Sequence, residues 1–310
     1  MPTRIYPVVK PKGKFVIGAT NDVYQNTGKP LQASVNLRNY FLPTQDQGQY
    51  GACTAFGSLG WRLALRAQAG LTNFVPSYFA NYYEERKDDG DIPTDAGASI
   101  SEAVNVLETW GAMNSDYFAY IPANFAVNPP DKWDPAYKLL PPNAQHINGS
   151  TILTDTLDAL SNGHPVVFGA TVFNGLDSSQ CANTGVLPMP NTSESSIGGH
   201  CIIAVGYDQA TQMLLILNSW GPNWGTKDAD KNGCFWMPYA YFSTYAFDAW
   251  AGIKDVVTPP VPAPAPIPPA PVPVPANWYI KILAMTEAQA VEMENIAFSK
   301  GYGVEMGMQK

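Results

Sequence analysis

Helical and strand patterns occupy separate parts of this chain, and their order restricts the folds that it can adopt. Amphipathic helices are predicted first, beginning at Cys53 and continuing over 76–87, 99–110 and 154–161. Strand patterns follow at 165–173, 200–208, 212–220 and 233–238. Helices grouped early and antiparallel-looking strands grouped late favour an α+β domain with two lobes over a repeating βαβ sheet.

A proline-rich segment divides the chain. Residues 258–276 hold ten of the 28 prolines and predict an extended polyproline linker. The linker separates a domain over 33–257 from a tail over 277–310 that has strand, helix and strand patterns. Because so short a tail buries little core, we expect a small βαβ-like module that binds a protein partner; an accessory flap on the same chain is the alternative. Residues 1–32 form an irregular N-terminal segment.

Composition excludes several classes of protein. The net charge of −8 over 310 residues argues against a nucleic-acid partner, and no apolar run is long enough to span a membrane. The N-terminus has no apolar stretch of signal-peptide length. We therefore expect a cytoplasmic protein, or one exported or attached to a particle by a non-classical route. The acidic run 84–91 is predicted to be a solvated helix end.

The four cysteines have neither disulfide-scaffold nor zinc-ligand spacing, and no cofactor is predicted. Cys201 and Cys234 lie in apolar strand patterns and are expected to be buried. Cys181 lies in a polar loop and is expected to be the exposed thiol. Cys53 stands at the first turn of a helix, where unpaired N–H groups and the helix dipole favour the thiolate. The alternative for Cys53 is a small buried apolar side chain.

A nucleophilic cysteine needs a base, and the chain has three histidines. His146 lies in a polar loop, and His164 is held between a turn and a proline. His200 opens an apolar strand directly after two glycines, where a side chain can face a cleft. His200 is therefore the predicted base, and a buried structural histidine is the alternative.

Three further side chains complete the predicted site. Asn218 ends a strand that can pair with the strand of His200, so its amide oxygen can accept from one ring nitrogen. Trp220 can shield that hydrogen bond from water. Gln47, with the backbone N–H of Cys53, can bind the oxyanion of a tetrahedral intermediate.

The blocks "QGQYGAC", "GGHCIIAVGYD" and "NSWGPNWG", in that order, resemble the papain-like cysteine peptidases over about residues 34–250. The stretches "GACTAFG" and "DAGASISEA" resemble bacterial and phage members more than plant or lysosomal ones. The resemblance implies a two-lobed papain-like fold with the cleft between the lobes. It also implies that Cys53 is the nucleophile, His200 the base, Asn218 the orienting amide and Gln47 the oxyanion donor.

The resemblance further implies a substrate site. Gly97 and Ala98 match the strand that binds substrate backbone, and Ile100 matches the wall of the pocket for the second substrate residue. Gly199 and Trp220 are counted with these substrate-binding residues. Ala98 replaces the family's second glycine, Thr54 stands where many members have tryptophan, and Tyr50 replaces a disulfide cysteine. These departures alter specificity and leave the four catalytic groups in place.

Two more interpretations follow from the residues. The segment that precedes the match is much shorter than the family's inhibitory propeptide, and we expect it to lie in the cleft as a short plug. In "DADKNG", Asp228, Asp230 and Asn232 match the first half of a calcium loop, but Tyr239 stands where the glutamate ligand belongs. An ordinary polar loop is favoured over calcium, and no metal is predicted.

The predicted function is a cysteine endopeptidase that hydrolyses proteins or peptides through a thioester on Cys53, with His200 as acid and base. A catalytically idle papain-fold protein that binds through its tail is the alternative from another class. A particle component that carries a local protease is a third hypothesis.

Overall fold

The computed structural model describes residue 4 and residues 6–8, 23–87, 90–140, 142–228 and 231–255. The helices are α1 (Cys53–Gln68), α2 (Tyr78–Lys87), α3 (Ile100–Thr109), α4 (Ile152–Ser161), α5 (Ser179–Thr184) and α6 (Tyr239–Tyr245). The strands are β1 (Ser34–Asn36), β2 (Ala112–Met113), β3 (Trp133–Asp134), β4 (Ala144–Ile147), β5 (Val166–Val172), β6 (Gly198–Asp208), β7 (Met213–Leu217), β8 (Cys234–Pro238) and β9 (Ala246–Gly252). The linker and the C-terminal module predicted from the sequence lie outside the described residues.

An antiparallel sheet organises the second half of the described chain. Its strand order is β4-β9-β5-β6-β7-β8, and β1 pairs with the far end of β6. The first part of β6 pairs with β5, whereas β7 begins to pair only at Ile203. One edge of β6 around His200 is therefore left without β7, and its backbone groups face the site described below.

Helix α1 joins the two groups of elements because it packs both on α2 and α3 and on β6. Alternate residues of β6 point to opposite faces of the sheet. Cys201 and Ile203 pack into the core that contains α1, and Ile202 and Ala204 pack into the core on the other side. A side chain on Gly57 would place its Cβ 2.6 Å from the Cys201 sulfur, so this glycine lets α1 lie close against β6.

Most predicted elements are confirmed, including α1 from Cys53, and so is the α+β class. The expectation for Cys181 is wrong, because this thiol is 0% exposed. The Ser178 hydroxyl caps α5 by accepting from the amide of Cys181, and the short helix places the sulfur in the core. All four cysteines are buried. No helix in the described ranges is long and apolar enough to cross a membrane.

Candidate active site

Cys53 is the first residue of α1, and the fold brings it beside the strand of His200. The helix begins after Ala52, which makes no side-chain capping hydrogen bond, so the N–H groups of the first turn stay available. The thiol lies within hydrogen-bond reach of the backbone N–H of Cys201, the residue that follows His200. The predicted nucleophile and base therefore come from two separate elements that meet at one place.

His200 lies near the start of β6, opposite Ala170 on β5. Its Nε2 is 2.8 Å from Oδ1 of Asn218, so the predicted hydrogen bond is present. Because an amide oxygen only accepts, Nε2 carries the proton and Nδ1 keeps its lone pair when the ring is neutral. The buried Nδ1 has no hydrogen-bond partner among the described residues. It is therefore available to exchange a proton with the thiol or a substrate.

Two neighbours hold this pair in place. Asn218 directly follows β7, and its backbone N–H donates to the carbonyl of Gly233 at 3.0 Å. Trp220 stacks on the imidazole of His200, with ring centroids 5.2 Å apart and planes at 27°. The indole is 4% exposed. As predicted, Trp220 thus covers the bond between His200 and Asn218, and exclusion of water strengthens such a bond.

Gln47 is fixed on several sides. Its Nε2 donates to the carbonyl of Tyr50 at 2.9 Å, and its Oε1 accepts from the hydroxyl of Ser219. Its backbone carbonyl accepts from the Tyr120 hydroxyl at 2.9 Å. A side-chain amide has two N–H donors, and the bond to Tyr50 uses one of them. The second donor can be offered to an oxyanion without rearrangement.

The predicted substrate-binding residues form a compact backbone surface. Gly97 has φ +78, a conformation that favours glycine, and its N–H donates to the hydroxyl of Tyr82 at 3.0 Å. Ala98 is 2% exposed and Ile100 is 0% exposed. Gly199 presents its N–H and its carbonyl along the edge of β6 that β7 leaves open. These groups suit the binding of an extended peptide.

Residues of the N-terminal segment occupy this surface. The amide of Gly199 donates to the Tyr6 carbonyl at 2.9 Å, and the amide of Val8 donates to the Gly199 carbonyl at 3.2 Å. These bonds make a parallel bridge between Pro7 and Gly199. The carbonyl of Pro7 lies so close to Gly97 that a Cβ there would overlap it. Residues 6–8 therefore lie along the surface formed by Gly97 and Gly199.

Side chains of the same segment cover the catalytic rings. Tyr6 meets the imidazole of His200 edge-on, with centroids 6.0 Å apart. The guanidinium of Arg4 lies 4.2 Å from the centroid of the Trp220 ring. With these residues in place, Cys53 and His200 are both 0% exposed.

This burial changes the charges expected at the site. Burial raises the pKa of the Cys53 thiol to about 12. Burial also lowers the pKa of His200 to about 4, against the opposing effect of the hydrogen bond that His200 donates to Asn218 and with a smaller contribution from the charge of Arg4. Both groups are therefore neutral near pH 7 in this closed state. Burial therefore disfavours the predicted thiolate in this closed state.

One buried carboxyl group behind the nucleophile differs from the prediction. Glu85 was expected at a solvated helix end, but it is 3% exposed, and its Oε2 accepts from the Thr54 hydroxyl at 2.5 Å. Burial raises the pKa of Glu85 to about 8, with the charge of Glu102 adding and the Thr54 hydrogen bond opposing. The charged run 84–91 gave no sequence signal of this burial, which follows from the packing of α2.

The calcium interpretation gains no support. Arg38 donates to the side-chain oxygen of Asn232 at 3.1 Å and to its carbonyl at 3.3 Å, so a guanidinium binds the oxygens that calcium would need. Asp230 lies outside the described residues, and Asp228 pairs with Lys231 at 3.2 Å. No cluster of metal-ligating side chains occurs in the described part of the chain.

Comparison with protein-family models matches residues 94–247 to the Peptidase_C39 like family. That range includes His200 and Asn218 but begins after Cys53. An uncharacterised peptidase C1-like protein of Acanthamoeba polyphaga mimivirus is 33% identical over 224 residues, which are 69% of this chain and 70% of the viral protein.

Solved structures give the same result for the fold. Xylellain, a cysteine protease from Xylella fastidiosa, superimposes with a TM-score of 0.70 at 26% identity, over 83% of this chain and 99% of that protein. Digestive procathepsin L 3 from Tenebrio molitor superimposes with a TM-score of 0.56 at 21% identity, over 76% of this chain and 75% of that one. The two-lobed papain-like fold predicted from the sequence is confirmed.

Proposed function

This chain belongs to the papain-like cysteine peptidase family, and we propose that it hydrolyses peptide bonds through a thioester on Cys53. The observation that carries the proposal is the 2.8 Å hydrogen bond from His200 Nε2 to Asn218. It leaves the other ring nitrogen free to serve the nucleophile at the start of α1. In the open site, proton transfer from the thiol to His200 produces a thiolate and an imidazolium.

The reaction proceeds in two stages. The Cys53 thiolate attacks the substrate carbonyl, and the oxyanion accepts from Gln47 Nε2 and from the Cys53 backbone N–H. His200 Nδ1 gives its proton to the leaving amine, so the peptide bond breaks and a thioester remains. His200 then removes a proton from water, the resulting hydroxide attacks the thioester, and the acid product leaves with the thiol regenerated. No external cofactor is required for these steps.

The N-terminal segment makes the described state latent. Arg4 lies on Trp220, next to His200, on the side from which the leaving amine takes its proton. Val8, in contrast, belongs to the same buried cluster as Ala98 and Ile100, on the side assigned to the acyl part of a substrate. The segment thus runs from the leaving-group side to the acyl side, opposite to a substrate that is cleaved. A segment in this direction covers Cys53 without presenting a bond in the reactive orientation.

The latency is tested by deleting residues 1–8. Residues 23–32 remain held elsewhere, since Tyr24 donates to Asp158 at 2.7 Å, so the deletion should remove the plug and leave the fold. We expect Cys53 to react with iodoacetamide about tenfold faster or more, because the thiol becomes accessible and ionises. Cys181, Cys201 and Cys234 are internal controls that should stay unreactive. An unchanged rate at Cys53 would show that the segment does not close the site.

The catalytic proposal is tested on the same deletion variant. At about pH 5, iodoacetamide should label Cys53 in the deletion variant at least about tenfold faster than in the deletion variant that also carries His200→Ala. The reason is that the imidazolium of His200 stabilises the thiolate. Hydrolysis of a quenched fluorescent peptide should be lost with His200→Ala and with Cys53→Ser. Equal labelling with and without His200, together with no hydrolysis, would favour the binding protein that has kept the fold.

A further inference from the structure

The side chain of Arg4 lies in a distinct environment beside the catalytic rings. Its guanidinium contacts the face of Trp220 at 4.2 Å, an arrangement that attracts a cation to the ring. Burial lowers the pKa of Arg4, and the negative charges of Asp46 and Asp177 oppose that effect. A cation therefore lies on an aromatic face with two carboxylates nearby.

The walls of this environment belong to the folded domain. Asp46 forms an antiparallel bridge with Trp220, and the amide of Gly221 donates to the Gln45 carbonyl at 3.0 Å. Asp177 lies in the loop that joins β5 to α5. Asp46 and Trp220 are therefore neighbours beside the guanidinium, and the charge of Asp177 acts on it from a separate loop. None of these three residues is part of the plug.

Arg4 does not use all of the hydrogen-bonding capacity at this place. Its Nε and Nη1 are buried without a hydrogen-bond partner, and so is Oδ1 of Asp177. Burial, the charge of Asp177 and a hydrogen bond to Asp177 raise the pKa of the Tyr6 hydroxyl, which therefore lies beside this carboxylate. Oδ1 of Asp177 is thus a buried acceptor that the Arg4 guanidinium does not reach. A substrate cation that enters more deeply than Arg4 can donate a hydrogen bond to it.

We propose that Trp220, Asp46 and Asp177 form a substrate subsite for an arginine or lysine side chain, and that Arg4 occupies this subsite in the closed state. The inference rests on the proposed peptidase function. The subsite lies on the leaving-group side, since Trp220 stacks on the ring that protonates the amine. Substrates with a basic residue after the scissile bond should therefore be preferred.

The spacing in the plug indicates which substrate residue enters the subsite. In an extended chain, side chains two residues apart point to the same side. Tyr6 lies against His200, and Arg4, two residues away, lies against Trp220. We take Tyr6, which lies against His200, to mark the scissile position, so that Arg4 marks the second position from it. The second residue after the scissile bond is therefore the one expected on Trp220.

The first test measures the subsite in the full-length chain without any need for turnover. Iodoacetamide labelling of Cys53 is compared in the wild type, Arg4→Gln, Asp177→Asn and the double variant. Each single variant should label about five- to thirtyfold faster, because plug binding loses a cation contact. The double variant should label no faster than the faster single variant, since both changes remove the same interaction. Asp116→Asn, at an exposed carboxyl group elsewhere, is the control and should match the wild type.

The second test measures substrate choice in the variant that lacks residues 1–8, in which the plug is removed and the subsite is vacated. Quenched peptides carry arginine, glutamine or glutamate at each of the three positions after one scissile bond. We expect kcat/KM for arginine at the second position to exceed that for glutamine by about five- to twentyfold. The ratio should approach one when Asp177→Asn is added.

The outcomes separate the two proposals. Coupled labelling rates without hydrolysis of any peptide would overturn the peptidase function and support the cation site for Arg4 alone. Hydrolysis with equal rates for arginine and glutamine would overturn the substrate subsite, whatever the labelling rates. Labelling effects that multiply in the double variant would show that Arg4 and Asp177 act independently, which would overturn the shared site.

Discussion

Replacing Gln47 with alanine should lower kcat by about 10² to 10³ while changing KM little, because an oxyanion donor acts mainly in the transition state. The hydrogen bonds to Tyr50 and Ser219 hold the amide in position before substrate arrives. A donor held in this way needs no reorganisation when negative charge develops. The effect should be measured in the variant that lacks residues 1–8, so that opening of the plug does not limit the rate.

The control for this prediction is Gln45→Ala, two residues earlier in the same loop. The side chain of Gln45 donates to the Pro43 carbonyl at 2.8 Å and has no part in the proposed oxyanion site. Iodoacetamide labelling of Cys53 should be similar in both variants, because the thiolate pair does not depend on the donor. A kcat for Gln47→Ala within about threefold of the parent would contradict the assignment.

Glu85→Gln should change how stability depends on pH. The pKa of Glu85 is raised by burial to about 8 in the folded protein, above the value of an unfolded glutamate. The folded state therefore holds the Glu85 proton more tightly than the unfolded state does. The contribution of Glu85 to the free energy of unfolding is fully present below the pKa of the unfolded glutamate and is lost as the pH rises to about 8. Glutamine keeps an acceptor for Thr54 and does not titrate.

We therefore compare the free energies of unfolding, measured by urea denaturation. The value for Glu85→Gln minus the value for the wild type should become more positive between about pH 5 and about pH 8. The change in the difference should be on the order of a few kcal/mol. The groups that set the charge around Glu85 are Glu102 and Arg86, and neither is altered. Glu84→Gln, at the preceding residue and in an ion pair with Lys87, is the control. If the stability of Glu84→Gln showed the same pH dependence as that of Glu85→Gln, a buried carboxyl group at Glu85 would be refuted.

Much of the candidate site was predictable, because its groups are carried by short motifs with local structure. A cysteine after a glycine break begins a helix, and a histidine after two glycines begins a strand. The partner of His200 was also predictable, since consecutive strands commonly pair as neighbours, and this pairing brings Asn218 within reach of His200. The geometry of each motif is encoded within a few residues, so pattern reasoning was sufficient.

The missed features depend on neighbours that are distant in sequence. Helix α6 contains mostly aromatic and β-branched residues, which have weak helix propensity, and packing against β5 and β8 compensates. Cys181 lies in a polar stretch, yet the cap of a short helix places it in the core. Glu85 belongs to a highly charged run, and only the packing of α2 behind the nucleophile reveals that its side chain is buried.

The amino-acid sequence by itself determined the α+β class, and it was sufficient to predict a nucleophile, a base, an orienting amide and an oxyanion donor. Those features depend on residue type, spacing and hydrophobic periodicity, which are local properties. Only the tertiary structure showed that Cys53 and His200 are both buried, which raises the pKa of the thiol and lowers the pKa of the imidazole. It also decided the environment of Arg4, since Trp220, Asp46 and Asp177 become neighbours only when the loops at the cleft meet.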